Sequence, residues 1–237
     1  MTEKFCDTII FKNLDCYSKS MRVNIELLLI FNLIKYFQYK KILEIGFFEG
    51  KTFSTILESI KSTGELTAVD PFINRTIFDK LYGNCEIVSN NKITFLPIKS
   101  ENFKSQLNYY DFINVDGDHS IPVVLKDLQL AFKMIKIDGI VMIDDYALDD
   151  VDYAIEQCIK LNTDFVPFLM CEQSVFFHHV SHDAASFLDN EISNLFSMFC
   201  DVSNVEYKNY HVKKISCLPA ITNNDDIFSL VCERYKL

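Results

Sequence analysis

The sequence predicts an α/β protein built on an open, doubly wound sheet, and three observations carry that reading. Short apolar runs alternate with stretches of helical periodicity along the chain. Two of the runs, Asp111-Phe-Ile-Asn-Val-Asp-Gly-Asp-His-Ser120 and Gly139-Ile-Val-Met-Ile-Asp-Asp-Tyr146, end abruptly in acidic residues and have a helical pattern between them. Parallel strands that deliver side chains to one sheet edge read this way. A glycine-containing turn, Gly46 to Gly50, follows the first apolar run. The β-α-β-α order then gives a doubly wound sheet.

The elements follow in order. Residues 21–38 place Leu27, Leu28, Phe31, Ile34 and Phe37 at helical spacing. Lys41 to Gly46 reads as a strand, Thr52 to Lys61 as a helix, and Glu65 to Asp70 as a second strand that Pro71 ends. Ile73 to Tyr82 reads as a helix stopped by Gly83, Glu86 to Ser89 as a weaker third strand, and 101–107 as a short helix. Tyr110 to Asp116 is the fourth strand. Pro122 suits the first turn of a helix that runs to about Ile135. Ile140 to Asp144 is the fifth strand, Asp149 to Leu161 a helix, and Asp164 to Met170 with Ser174 to Val180 a closing pair of strands. Ala184 to Phe199 reads as a helix, and 200–237 mixes β-like and turn-like sequence. The expected division is an N-terminal helical cap at 1–35, a ligand-binding α/β domain at 36–180 and a C-terminal extension of unknown role at 181–237.

The chain has 237 residues, nearly half of them apolar and 21 of them Phe, enough for a sizeable core. Its formal charge of −10 is a poor match for a polyanion, so no nucleic-acid partner is expected. The eight cysteines show no C-x-x-C spacing and read as reduced, mostly buried thiols of a cytoplasmic protein. The N-terminus lacks the basic-then-apolar form of a signal peptide. The longest apolar stretch, Ile25 to Phe37, is interrupted by Glu26, Asn32 and Lys35 and is too short to span a bilayer, so no membrane association is expected. The N-terminal helix and the long tail leave surface enough for a homodimer.

The turn Leu43-Glu-Ile-Gly-Phe-Phe-Glu-Gly50 has glycines spaced G-x-x-x-G, unlike the G-x-G-x-x-G that seats a pyrophosphate. Gly46 would let the backbone approach a ligand, and Gly50 would let the turn bend tightly. Glu44 suits an ammonium or sulfonium group and suits a phosphate badly. Asp70 ends the second strand 24 residues after Gly46, where an acid accepts hydrogen bonds from ribose hydroxyls. Turn and acid together point to an adenosine ligand with a cationic tail, and S-adenosylmethionine fits. Carboxylates gathered at one edge repel each other unless a cation or a positively charged ligand sits among them.

With LEIGFFEGKT, TAVDPF, DFINVDGDHS and GIVMIDDY in place over about residues 36–180, the chain resembles the class I S-adenosylmethionine-dependent methyltransferases. Within them it looks most like the methyltransferase 24 family, relatives of the catechol, caffeoyl-CoA and macrocin O-methyltransferases. The resemblance implies a Rossmann-like, seven-stranded mixed sheet of order 3-2-1-4-5-7-6 with the seventh strand antiparallel. It implies that Glu44, Gly46, Phe47 and Gly50 lie along the methionine part of the cofactor, that Asp70 holds the ribose, and that Ser100, with Glu101, faces the adenine. It assigns Asp116, Asp144 and Asp145 to a divalent cation, Mg²⁺ or Mn²⁺, with Asp116 also beside the cofactor. His119 falls where catechol-type enzymes have a catalytic Lys and where a His serves in macrocin-type relatives. No aromatic walls for a flat substrate are identifiable.

The expected reaction is O-methylation of a small hydroxylated molecule. A cation lowers the pKa of an oxygen it meets, and His119 and Asp116 are the expected catalytic residues. A metal-independent methyltransferase acting on N, O or C, and a non-catalytic module binding an adenosine ligand, stand as alternatives. A nicotinamide-dependent dehydrogenase lacks its third glycine here. Asp118 and Asp150 read as turn or capping residues, the His178, His179 and His182 group as a surface feature, and Phe176, Phe177, Phe196 and Phe199 as core.

Overall fold

The computed structural model describes residues 21–217 apart from 49, 61–62, 83–85, 105, 183, 185–186, 188–195 and 197–199. Residues 1–20 of the expected cap, Gly83, most of the expected 184–199 helix including Phe199, and the tail beyond 217 lie outside the described residues.

The first described element is helix α1 (Met21–Phe37), whose apolar positions recur at helical spacing and bury Ile25, Leu29, Ile30 and Leu33 completely or nearly so. It continues through β1 (Lys41–Ile45), α2 (Lys51–Ile60), β2 (Glu65–Val69), α3 (Arg75–Tyr82), α4 (Glu86–Asn90) and β3 (Lys92–Leu96). A 3₁₀ turn at Ser100–Asn102 precedes β4 (Tyr110–Val115), α5 (Ile121–Met134), β5 (Ile135–Ile143) and α6 (Asp149–Leu161). The antiparallel pair β6 (Phe165–Cys171) and β7 (Ser174–His179) follows, then β8 (Cys200–Tyr207) and β9 (Tyr210–Cys217).

Among the described residues these strands form one sheet of nine in the order β3-β2-β1-β4-β5-β7-β6-β9-β8. The first seven positions are the expected order, and β7 runs antiparallel to both β5 and β6. Three expectations are corrected. Among the described residues, the helix expected at 101–107 is only the 3₁₀ turn Ser100–Asn102. Glu86–Asn90 is a helix, and the third strand is the next segment, Lys92–Leu96. The sheet has nine strands where seven were expected, because β8 and β9 form a hairpin and β9 pairs in parallel with β6 from Leu169 to Cys171. That pairing begins past Pro167, which has no N–H to give a ladder and sits where the β6–β7 register shifts.

Alternation along each inner strand divides the core between two faces. Ile42, Phe112, Ile140, Met142 and Phe176 face α1 and α2 together with Phe53, Ile56 and Leu57. Leu43, Ile45, Ile113, Val115, Val141 and Ile143 face α5 and α6 together with Leu128, Ala131, Ala154 and Ile155. Phe176, Phe177, Phe187 and Phe196 are fully buried, and Cys158, Cys171 and Cys200 are buried and joined in no disulfide. Both faces of β1, β4 and β5 are thus covered, which leaves the strand ends as the way in. No helix among the described residues is long and apolar enough to cross a membrane.

Candidate functional site

Sheet register gathers the predicted residues. Leu96, Val69, Ile45, Val115 and Ile143 pair in one row across β3, β2, β1, β4 and β5, and Val175 of β7 closes it. The residues one step beyond that row are Asp70, Gly46, Asp116 and Asp144, with Ser174 entering from antiparallel β7. Ladder-like bonds carry the order one residue further. Gly46 N–H donates to Val69 O at 3.0 Å, Asp116 N–H to Ile45 O at 2.8 Å, and Asp144 N–H to Val115 O at 3.0 Å. At roughly 5 Å per strand, Asp70 and Asp144 stand about 15 Å apart along this edge. β1 lies between β2 and β4, where the chain order reverses, and ligands of open α/β sheets bind at such a switch.

The glycine turn is held tightly. A Cβ on Gly46, whose φ is +92°, would sit 1.8 Å from the Asp116 carbonyl oxygen. The need for glycine therefore comes from the β4 backbone pressing on the turn. A Cβ on Gly50 (φ +75°) would meet the Phe47 ring at 2.5 Å. That ring is buried against Phe53, Phe78 and Phe95, so the Phe47 side chain is closed to a ligand. The Asp70 carboxylate anchors the turn. Its Oδ2 accepts the N–H groups of Phe47 (2.9 Å) and Phe48 (3.3 Å), and its Oδ1 accepts that of Phe72 (2.7 Å). Phe48 and Phe72 leave 84% and 87% of their surface exposed, which puts two bare aromatic rings on the loops around one carboxylate.

At the other end Asp116, Asp144 and Asp145 crowd together. Burial, then Asp144, then Asp145 push the Asp116 carboxyl up to about 8. Burial also raises Asp144, whose Oδ1 takes the Asp145 N–H at 2.9 Å and meets Ser174 Oγ at 2.9 Å. Asp145 has a left-handed backbone (φ 55°), and its Oδ2 lies 3.1 Å from His119 Nε2. One ligand-type atom each from Asp116, His119 and Asp145 falls within 4.8 Å of the others, the one such grouping among the described residues. The structure thus brings Asp116 and Asp145 together with His119, while Asp144 commits an oxygen to Ser174.

Beneath the edge, Glu44 is fully enclosed. Burial, then Asp116, raises its pKa well above the usual carboxyl range, and Asn114 Nδ2 donates to its Oε1 at 3.3 Å. Glu44 Oε2 and Asn114 Oδ1 have no partner among the described residues. Two further acids were not singled out from the sequence. Asp127 of α5, buried, receives the Ser100 hydroxyl. Glu26 of α1, also buried, accepts the Gln173 N–H at 2.8 Å and meets Ser174 Oγ at 2.9 Å, reaching Asp144 through that hydroxyl. The available signal for Asp127 was an acid on the apolar stripe of a helix, in line with Val124, Leu128 and Ala131.

Asp118 accepts the Ser120 N–H at 2.8 Å and stays exposed, the turn role expected of it. His178 Nδ1 pairs with His182 O at 3.0 Å and His179 Nδ1 with Ser181 Oγ at 2.7 Å, and these rings join no metal-type grouping among the described residues.

Residues 43–146 match the family model described as a methyltransferase domain, that of the methyltransferase 24 family. No curated protein matches the chain in sequence. Among solved structures, the chain is similar to the O-methyltransferase TomG of Streptomyces achromogenes, involved in tomaymycin synthesis and solved in complex with SAM. The two share 13% identity and a TM-score of 0.54 over 72% of this chain and 89% of that one. An O-methyltransferase of Bacillus cereus in complex with SAH shares 13% identity and a TM-score of 0.52 over 75% and 92% of the two chains. An SAH-bound methyltransferase of Podospora anserina gives 14%, 0.50, 72% and 87% in the same terms. At these identities the likeness is one of fold.

Proposed function

We propose that this chain, whose residues 43–146 match the methyltransferase domain model of the methyltransferase 24 family, is an S-adenosylmethionine-dependent O-methyltransferase of a small hydroxylated molecule, assisted by a divalent cation. The observation that carries the reading is the single register row that aligns Asp70, Gly46, Asp116 and Asp144 along the carboxyl edge. Its span of about 15 Å has room for a ribose at Asp70, the sulfonium attached to that ribose over β1 and β4, and a cation with the acceptor hydroxyl toward Asp144.

The residues fit that cofactor. A carboxylate offers about four acceptor directions. Three N–H groups use three of those on Asp70, which leaves room for a ribose hydroxyl. Burial holds the Glu44 carboxyl neutral until a positive charge sits above it, and Asn114 Oδ1 beside it lacks a donor, so the pair favours a ligand that brings positive charge and opposes a phosphate. They also fit a hard cation. Asp116 and Asp145, with Asp144 beside them, form an oxygen-rich cluster whose mutual repulsion a divalent cation would relieve. Such a cation, when bound, lowers the pKa of a hydroxyl that meets it.

His119 takes the acceptor's proton in this reading. Asp145 Oδ2 orients the ring by receiving Nε2–H, which leaves Nδ1 to act as the base. Holding the hydroxyl and the methyl group in line above this edge would supply much of the rate. A second reading follows from the closeness of His119 to Asp116 and Asp145, and puts the imidazole on the cation itself.

Calorimetric titration with S-adenosylmethionine tests the reading, with Asp70→Ala expected to abolish binding. Transfer of a labelled methyl group to a panel of phenols and sugars, lost with EDTA and restored by Mg²⁺, is the expected activity. Turnover that EDTA leaves intact removes the cation. Binding without turnover across that panel favours a binding module, and no binding at all defeats the proposal.

A further inference from the structure

Helix α1 sends one carboxyl to the acidic end of the strand edge. Glu26 of α1 and Asp144, just past β5, flank a single hydroxyl, that of Ser174 on β7. Ser174 Oγ lies 2.9 Å from Glu26 Oε1 and 2.9 Å from Asp144 Oδ1. The same two carboxyl oxygens each receive a backbone N–H, from Gln173 at 2.8 Å and from Asp145 at 2.9 Å. Ser174 is fully buried and Glu26 is 8% exposed, so the trio must satisfy its polar atoms from within. Glu26 and Ser174 both lie outside the matched residues 43–146.

A serine hydroxyl has one proton, whereas an ionised carboxylate only accepts. Contacts at hydrogen-bond distance to two carboxyl oxygens need two protons, so one of the acids carries the second. Asp144 can meet a cation only as a carboxylate. The second proton then sits on Glu26, which gives it to Ser174 Oγ, while Ser174 gives its own to Asp144 Oδ1. Burial pushes the Glu26 carboxyl up to about 8, in keeping with a neutral acid at pH 7. With the Asp145 N–H and the Ser174 hydroxyl both on Oδ1, the Asp144 carboxylate is held against rotation, and Oδ2 is the oxygen left over. We infer that Glu26 is a positioning residue for the cation: as a neutral acid it turns the Ser174 hydroxyl onto Asp144 Oδ1 and so keeps Asp144 Oδ2 for the metal. This inference rests on the cation-assisted reading above, and it gives α1 a part in the site.

The test is titration of the metal-stripped full chain with Mn²⁺ at pH 7, with free Mn²⁺ read by electron paramagnetic resonance, beside calorimetry with S-adenosylhomocysteine. In Glu26→Gln the amide oxygen takes the Ser174 proton for itself and leaves Asp144 Oδ1 facing lone pairs. Mn²⁺ should then bind about tenfold more weakly or worse, while the variant melts no lower than the wild type and binds S-adenosylhomocysteine as before. Ser174→Ala should weaken Mn²⁺ as much. The double variant should be no weaker than Ser174→Ala, because Glu26 acts only through that hydroxyl. Glu26→Gln carries the test alone if thermal melting shows that Ser174→Ala does not fold. Wild-type Mn²⁺ affinity in either folded variant overturns the inference and leaves the cation reading intact. Losses that add in the double variant, or equal loss of Mn²⁺ and S-adenosylhomocysteine, also overturn it, because Glu26 would then act elsewhere or merely hold the fold. A wild type that binds S-adenosylhomocysteine without Mn²⁺ overturns the inference and the cation reading together.

Discussion

Glu26→Gln should stabilise this protein in proportion to pH. Glu26 lies in α1, is 8% exposed, and has its carboxyl pushed from 4.5 up to about 8 by burial first and by Asp144 second. A carboxyl whose folded pKa exceeds its unfolded value binds more protons in the native state. Native stability therefore falls as pH rises from about 4.5 to about 8, and the loss is complete above the upper value. The shift is 8 − 4.5, or about 3.5 units. At about 1.4 kcal/mol per unit this comes to roughly 4–5 kcal/mol at pH 9, against about 1 kcal/mol at pH 5. Glutamine keeps an oxygen for the Gln173 N–H and the Ser174 hydroxyl and never ionises, so it escapes that loss. For a chain of this size the gain corresponds to a melting point higher by roughly 10–15 °C at pH 9 and by a few degrees at pH 5. Thermal and urea melts of both proteins at pH 5, 7 and 9 measure it. A difference independent of pH, or a variant less stable at pH 9, would refute the burial argument.

Gly46→Ala should lose more than about 3 kcal/mol in a urea melt, since the new methyl overlaps the Asp116 carbonyl and the backbone is left-handed. Asp70→Asn turns an amide donor toward the loop N–H groups. It should cost about 1–3 kcal/mol and weaken S-adenosylmethionine binding at least tenfold by calorimetry. Tyr207→Phe removes the 3.0 Å bond from the hairpin turn to Asp152 of α6 and should cost about 1 kcal/mol, seen as faster amide exchange in β8 and β9.

Much of the fold was legible because β1, β4 and β5 are apolar runs buried on both faces and punctuated by acids, a pattern that one strand type explains. The segment Glu-Ile-Val-Ser was misjudged because a run of four apolar and polar residues fits a helical turn as well as a strand. The true strand, Lys-Ile-Thr-Phe-Leu, was only two residues away. The β8–β9 hairpin carried a readable signal that went unused. Two alternating stretches flank Lys208-Asn209, and both of those residues adopt positive φ, as a two-residue hairpin turn requires. Of the site, the residues at strand ends were visible, since register alone aligns them. Glu26 and Asp127 were hidden because their meaning comes from tertiary partners 148 and 27 residues away in the chain.

The carboxylate of Asp70 collects amide protons from the glycine turn on one side and from the Phe72 loop on the other. Two segments tethered to a common anion cannot rearrange separately, and this tether is present before any guest arrives. The mouth of the cleft is consequently held in place where the sugar of the proposed cofactor would meet it, and little ordering entropy is left to be lost on docking. Adaptability is left to the two unshielded rings, Phe48 and Phe72, which can swing about their own side-chain bonds while the frame beneath them stays put.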